Sequence, residues 1–388
     1  MVKKACVVTA TRAEYGLLKP LIQALNESAN YELQLIVSGT HLSSEFGMTW
    51  HAIEQDGFSI DAKVDMLLSN DSSTAVVKSL GLLCIGIADA FERLKPDFIV
   101  ILGDRYEMIG VATAANIFKI PVVHLHGGEI TEGASDDNFR HALTKLSHIH
   151  FTSTDEYRER VIQLGEQPMY VCNSGAIGID NINILPLLTK EELAKSLKLD
   201  LSIPFFLMTY HPVTVSEQDI IKEIDDIMSA LLSDGLKQII VTLSNADVGG
   251  RTINECMRKW SEKHPDRIHC FASLGQLRYL SAVKHCEAVV GNSSSGILEA
   301  PSLFVPTINI GNRQAGRLQA DSIINCEPTF NGVSEALEKI SDSTFKKSLG
   351  SIKNPYGNGN TVKEIMSFIE NIEWSTLLSK KFFNIKTY

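Results

Sequence analysis

Short apolar runs alternate with helical patterns over almost all of this 388-residue chain, and that alternation restricts the fold more than any motif does. Residues 5–10 read as a strand, 17–25 as the helix after it, and 33–38 as the next strand. Helical periodicity covers 75–94, a buried strand 98–102, a helix 108–117, a strand 122–125, a helix 137–147 and a short strand 149–152. A helix between two strands carries the chain back to the starting edge, so the strands run parallel and helices cover both sheet faces. The pattern loosens over 173–186. It restarts where Thr189 and Glu192 have the spacing of a capping box. Residues 205–210, 238–243, 288–291 and 307–310 then read as strands with helices between them. Two similar α/β halves are therefore joined near 175–185, as the length requires, since single cores stop growing at about 250–300 residues. A loop over 354–360 precedes a helical stripe of Val362, Ile365, Met366 and Ile369.

Open parallel sheets bind ligands at the carboxyl ends of their strands. Polar groups fall there repeatedly: Arg12 after the first strand, Gly103-Asp104-Arg105 after a central one, His124 to Glu129 after the next, and His211-Pro212 in the second half. The most pointed stretch is 289–317. An apolar strand ends in Gly291-Asn292-Ser293-Ser294-Ser295-Gly296, Glu299 follows about a helical turn later, and a second strand opens into Gly311-Asn312-Arg313-Gln314-Ala315-Gly316-Arg317. Small residues admit a ligand to the backbone. Free amides and hydroxyls at a helix start suit phosphate oxygens, and arginines add permanent charge. The turn by itself would serve as well to cap an ordinary helix; the arginine loop after the next strand favours a binding site for a nucleotide diphosphate, held without a metal.

Composition excludes other classes. A formal net charge of −10 argues against a nucleic-acid surface. The seven cysteines are dispersed with no Cys-x-x-Cys pair, so neither a zinc centre nor a disulfide framework is expected. No cofactor is called for. The first apolar run is too short for a signal peptide, no run reaches membrane-spanning length, and a cytoplasmic protein without a membrane partner is expected.

Thr11-Arg12-Ala13-Glu14-Tyr15-Gly16, Gly103-Asp104-Arg105-Tyr106-Glu107, His124 to Glu129, Arg140-His141-Ala142-Leu143-Thr144-Lys145 and the two glycine-bounded turns above resemble the UDP-N-acetylglucosamine 2-epimerases. The resemblance runs in order through nearly the whole chain. It is strongest to the bacterial hydrolysing branch that makes N-acetylmannosamine for sialic acid synthesis. It implies two Rossmann-like domains facing across a cleft (GT-B type), an N-terminal one over 1–178 with the acid/base residues and a UDP-binding one over 179–360. A C-terminal helix and tail over 361–388 would return to the first domain. A homodimer or homotetramer is implied as well.

By matching position, Ser293 and Ser294 would contact the diphosphate of a UDP-sugar and Glu299 the ribose hydroxyls. Arg313 would face phosphate, and Arg12 would approach it from the first domain, with Gly16 at the start of its helix. Asp104 and Asp136 would be the acid and base; His211, before Pro212, could donate to the leaving phosphate or serve as a satisfied structural histidine. For Asp104 the residues leave a helix-capping role open, although Arg105 and Glu107 beside it favour catalysis; of Asp136 and Asp137, one would be an N-cap. His126 stands where many relatives have glutamate. An imidazole can only shuttle a proton or hydrogen-bond, so Asp104, Asp136 or Glu129 would have to supply the negative charge. His41 and His124 read as structural. The implied chemistry is anti elimination of UDP to 2-acetamidoglucal, then hydration to N-acetylmannosamine. A 2,4-diacetamido-2,4,6-trideoxy UDP-sugar would be served by the same motifs, and a glycosyltransferase could use the same fold.

Overall fold

Burying both faces of the apolar runs turns the strand–helix alternation into two sheets. The first has seven strands: β1 (Lys3–Thr9), β2 (Tyr31–Ser38), β3 (Ala62–Val64), β4 (Phe98–Leu102), β5 (Val122–Leu125), β6 (Ile149–Thr152) and β7 (Val171–Asn173), in the order β3-β2-β1-β4-β5-β6-β7. The second has six: β8 (Phe205–Thr209), β9 (Gln238–Thr242), β10 (Ile268–Phe271), β11 (Ala288–Gly291), β12 (Thr307–Ile310) and β13 (Ile323–Cys326), in the order β10-β9-β8-β11-β12-β13. All pairings are parallel. This computed structural model describes residues 2–69, 72–130, 136–212, 217–233, 235–244 and 250–385.

The two-residue period of a strand sorts its side chains between cores. Ala5 and Val7 of β1 join Phe98 and Val100 of β4 in one core, with Leu18 and Leu21 of the Arg12–Glu27 helix. Cys6 and Val8 join Ile99 and Ile101 in the core on the opposite face, with Leu83 and Ile87 of the Ser73–Leu94 helix. Every one of these side chains is at most 2% exposed, so truncating Ile99 to alanine would cost about 2–5 kcal/mol. The first helix starts at Arg12, five residues before the expected 17, because a capping box at Thr11 opens it, and the box expected at Thr189 opens another. Thr11 Oγ1 accepts from Glu14 N at 3.2 Å while the Glu14 carboxylate accepts from Thr11 N at 3.0 Å, and Thr189 and Glu192 form the same reciprocal pair.

The chain divides into two compact units, Met1–Asn181 with Tyr356–Tyr388, and Ile182–Pro355. The expected breaks at 178/179 and 360/361 are thus displaced, and the contacts explain why. Asp180 accepts from the Thr361 and Val362 amides at 3.0 and 2.8 Å, pinning the start of the Thr361–Asn371 helix to the first unit. Ala176 N donates to Tyr356 O at 2.7 Å, and the Tyr157 and Tyr356 hydroxyls are 3.1 Å apart. Ile365 and Ile369 of that last helix enter the core beneath the Arg12–Glu27 helix.

By length and composition alone the Ser73–Leu94 helix is apolar enough to cross a membrane, contrary to the expectation that no run reaches that length. Its buried side lines the core of the first unit and packs on the Tyr106–Ile117 helix. All seven cysteines are free thiols.

Candidate active site

Strand order reverses direction beside β1 and β4 in the first unit, the switch point where open sheets leave a crevice. Asp104 follows β4 there. The Tyr106–Ile117 helix starts from Arg105 with no side-chain cap, so Asp104 is not the turn-capping residue its position allowed. Nor do Arg105 and Glu107 crowd it. They pair with each other, Arg105 Nε and Nη2 donating to the Glu107 carboxylate at 3.1 and 2.7 Å. The partner of Asp104 is Arg140, on the second turn of the Asp136–Leu146 helix, which donates from Nη2 to Asp104 Oδ2. Its Nη1 donates to Asp137 Oδ1 and, at 2.9 Å, to the Glu129 carbonyl. The guanidinium is 1% exposed, whereas the Asp104 side chain is 29% exposed. A buried cation therefore backs an accessible carboxylate and fixes its orientation.

Asp136 and Asp137 are the first two described residues of that helix, in its first turn. Asp137 turns inward to Arg140, and Asp136 is the exposed member. His126 follows β5 with a φ of 65°. Its Nε2 accepts from Ile177 N at 3.2 Å, which places the ring proton on Nδ1, 3.1 Å from Glu129 Oε1. Glu129 is buried and also accepts from Ser153 Oγ at 3.1 Å. With both nitrogens engaged, His126 is a hydrogen-bonding residue here. His124 donates from Nε2 to Gly103 O at 2.7 Å, and burial holds it down to about 3. His41, between Thr9 and Thr49, is likewise drawn down by burial to about 4, so both match a structural role. Arg12 is the exposed first residue of its helix. One turn on, the Gly16 carbonyl accepts from Asn181 Nδ2 at 3.1 Å. Beside them burial pushes the Glu14 carboxyl up to about 7, against the pull of Arg105.

The second unit repeats the arrangement with other chemistry. Its switch point lies between β8 and β11, and Asn292 is the hub. This fully buried side chain accepts from His211 N at 2.7 Å and donates to His211 O at 2.8 Å. The Asn292 carbonyl accepts from Arg313 Nη1 at 3.0 Å and Gln314 Nε2 at 2.8 Å. His211, Arg313 and the serine turn are thereby gathered at one place. Gly291 permits this approach: its φ is 125°, and a Cβ there would lie 2.0 Å from Thr209 O. Ser293 caps the short Ser294–Leu298 helix, Ser294 is its first residue, and Glu299 follows its end. Glu299 is partly buried, and loss of hydration raises its carboxyl while a Ser295 hydrogen bond opposes the rise. Burial, then the nearby Arg313 charge, lowers His211 to about 4, so its imidazole is neutral at pH 7. Its Nδ1 lies 3.2 Å from Ser244 Oγ.

Arg140, Asn292 and Gln314 lie inside or beside the motifs named above, and the sequence pattern gives none of them a role. A signal existed for Arg140, three residues after Asp137 on one helical face. None existed for Asn292, whose partners come from two loops far apart in sequence.

Residues 23–370 match the family described as UDP-N-acetylglucosamine 2-epimerase. The chain is 42% identical over 386 residues to the GDP/UDP-N,N'-diacetylbacillosamine 2-epimerase (hydrolyzing) of Campylobacter jejuni, covering 99% of each. It is 37% identical over 370 residues to the polysialic acid biosynthesis protein P7 of Escherichia coli, covering 95% of this chain and 94% of that protein. The crystal structure of UDP-GlcNAc 2-epimerase from Neisseria meningitidis bound to UDP-GlcNAc superposes with a TM-score of 0.80 at 17% identity, covering 95% of this chain and all of that one, and has the same fold. With the family matched over most of its length, the chain belongs to the UDP-N-acetylglucosamine 2-epimerases and sits with their hydrolysing branch.

Proposed function

We propose that this protein hydrolyses a UDP-linked 2-acetamido sugar and inverts it at C2, releasing UDP and the free 2-epimer. The observation that carries the reading is the accessible Asp104 carboxylate held by a buried Arg140 at a sheet switch point. The C2–H bond is a poor acid until C1–O cleavage makes the ring cation-like. Asp104 takes the C2 proton as the C1–O bond breaks and UDP departs, leaving the corresponding 2-acetamido glycal. Water then adds across the double bond: Asp136, the exposed carboxylate, takes a proton as the water oxygen bonds to C1 and delivers it to C2 on the face opposite the one deprotonated, while the proton on Asp104 passes to solvent. His126 orders Glu129 rather than moving a proton, and the negative charge near the ring comes from Asp104. A unit charge pair about 4 Å apart contributes roughly 4 kcal/mol at intermediate dielectric. A positioned acid or base adds about 10²–10⁴ in rate.

The second unit holds the nucleotide. Ser293, Ser294, Arg313 and Arg12 are assigned to the diphosphate; neutral His211 donates to the departing phosphate, and Glu299 accepts from the ribose. The substrate supported best is UDP-2,4-diacetamido-2,4,6-trideoxyglucose, that is UDP-N,N'-diacetylbacillosamine, because the Campylobacter relative is named for GDP/UDP-N,N'-diacetylbacillosamine; a product of that kind would feed legionaminic acid synthesis. UDP-N-acetylglucosamine, with N-acetylmannosamine as product, is the second reading and draws on the Escherichia coli relative. Incubating each nucleotide sugar with the protein in deuterated water tests both. The reading predicts the free 2-epimer of one sugar, deuterated at C2. Retention of C2 configuration with transfer to an acceptor would mean a glycosyltransferase instead. A cytoplasmic homodimer or homotetramer goes with this function, and light scattering showing only monomer would contradict that part.

A further inference from the structure

The Asp136–Leu146 helix carries Asp136, Asp137 and Arg140 at one end, and at the other it meets the C-terminal tail. The last carbonyls of any helix lack partners within it, and the helix dipole makes that end negative. Here one ammonium meets them. Lys380 Nζ donates to the carbonyls of Ser147 at 2.5 Å, Lys145 at 2.8 Å and Thr144 at 3.4 Å. The same ammonium is 2.8 Å from Glu166 Oε2, a carboxylate that is 2% exposed. Glu166 also accepts from Lys145 at 2.6 Å and contacts His150 Nε2 at 3.1 Å. Burial by itself would raise that carboxyl, but bonds from His150, Lys145 and Lys380 outweigh it and bring it to about 2. The anchor is therefore ionised throughout the working pH range.

The tail is seated around this contact. Phe383 N donates to Gly165 O at 2.8 Å, and Phe383 packs on Val161, Ile162 and Val171. The Phe382 ring lies over Gly165, where a Cβ would come within 2.3 Å of it, and the Lys145 ammonium is 5.0 Å from the ring centroid. Arg140 is five residues before Lys145, about 7.5 Å up the helix axis at 1.5 Å per residue. Over that length a helix moves as a rod, so a shift at its end is passed to the guanidinium that orients Asp104.

We propose that Lys380 is a positioning residue for the reaction: anchored by Glu166, it caps the carboxyl end of the Asp136–Leu146 helix and sets where Arg140 holds Asp104. The inference rests on the function proposed above for its kinetic arm only. Lys380→Met and Lys380→Arg are compared with the full-length protein by steady-state turnover, UDP calorimetry and amide hydrogen exchange over 140–146. Lys380→Met is expected to lower kcat on the order of tenfold or more, because small displacements of catalytic groups are costly. KM and the UDP Kd should stay within about twofold, since Ser293, Ser294, Glu299 and Arg313, assigned to the nucleotide, belong to the other compact unit. Exchange over 140–146 should quicken in Lys380→Met, and Lys380→Arg should restore most of both losses. Wild-type kcat and exchange in Lys380→Met, or equal losses in the Met and Arg variants, would overturn the proposal. Should Lys380→Met not fold, Lys380→Gln takes its place under the same criteria. If the unaltered protein turns over neither sugar, the functional reading fails, and the exchange comparison still decides the role of Lys380.

Discussion

The two units present opposite chemistry at equivalent points of the same topology. At the first switch point the polar groups are charges already spent on one another: Asp104 and Asp137 share the Arg140 guanidinium. At the second the hub is a neutral amide, Asn292, which arranges an arginine, a neutral histidine and a serine turn. A pair of carboxylates on one cation leaves net negative charge, suited to a cation-like ring and to proton transfer. An arginine with neutral donors suits an anion. One fold thus supplies two sites by changing only the residues after its strands, so function has to be argued from the residues rather than the architecture.

The comparison is broken most severely by Arg140→Leu. Two carboxylates lose their buried partner, which should cost about 3–5 kcal/mol in urea unfolding and reduce turnover by about 10³ or more, read with UDP affinity as control. Asn292→Ala probes the other hub. Both His211 backbone groups lose their side-chain partner, and a cavity opens beside Arg313. UDP binding should weaken by roughly 10–100-fold, the equivalent of about 1.4–2.7 kcal/mol, while turnover at saturating substrate falls much less. Equal losses in kcat and affinity for both variants would erase the division of labour.

Acid should separate the units more gently. Burial lowers His41 to about 4, His124 to about 3 and His148 to about 4 in the first unit, against His211 at about 4 in the second. A histidine lowered on folding is neutral in the folded state and protonates more readily in the unfolded one. The stability it contributes is complete above pH 6.5 and is lost as pH falls toward 4. Amide protection factors, which remove the intrinsic slowing of exchange in acid, should therefore fall more in the first unit between pH 7 and pH 5, with Glu14, raised to about 7, offsetting part of that loss, and a greater fall in the second would contradict this balance.

Central strands were legible in the sequence and edge strands were not. The runs at 98–102, 122–125, 149–152, 288–291 and 307–310 coincide with strands of the structure. The four strands without an apolar run to announce them, β3, β7, β10 and β13, are the four sheet edges, each short and partly exposed. Only a strand buried on both faces must be apolar at successive positions. The site divides the same way. Residues at strand ends could be named because position alone implicates them. Pairing could not: Arg105 stands next to Asp104 in the sequence, whereas its carboxylate partner is Glu107, and Asp104 pairs with Arg140 of another helix.

The central claim is tested most directly by Asp104→Asn, assayed for UDP affinity by calorimetry and for C2 deuteration of the released sugar in deuterated water. The account predicts a UDP Kd within about twofold of the unaltered protein and product formation slowed by about 10²–10⁴. Deuterated product at a near-normal rate would contradict it.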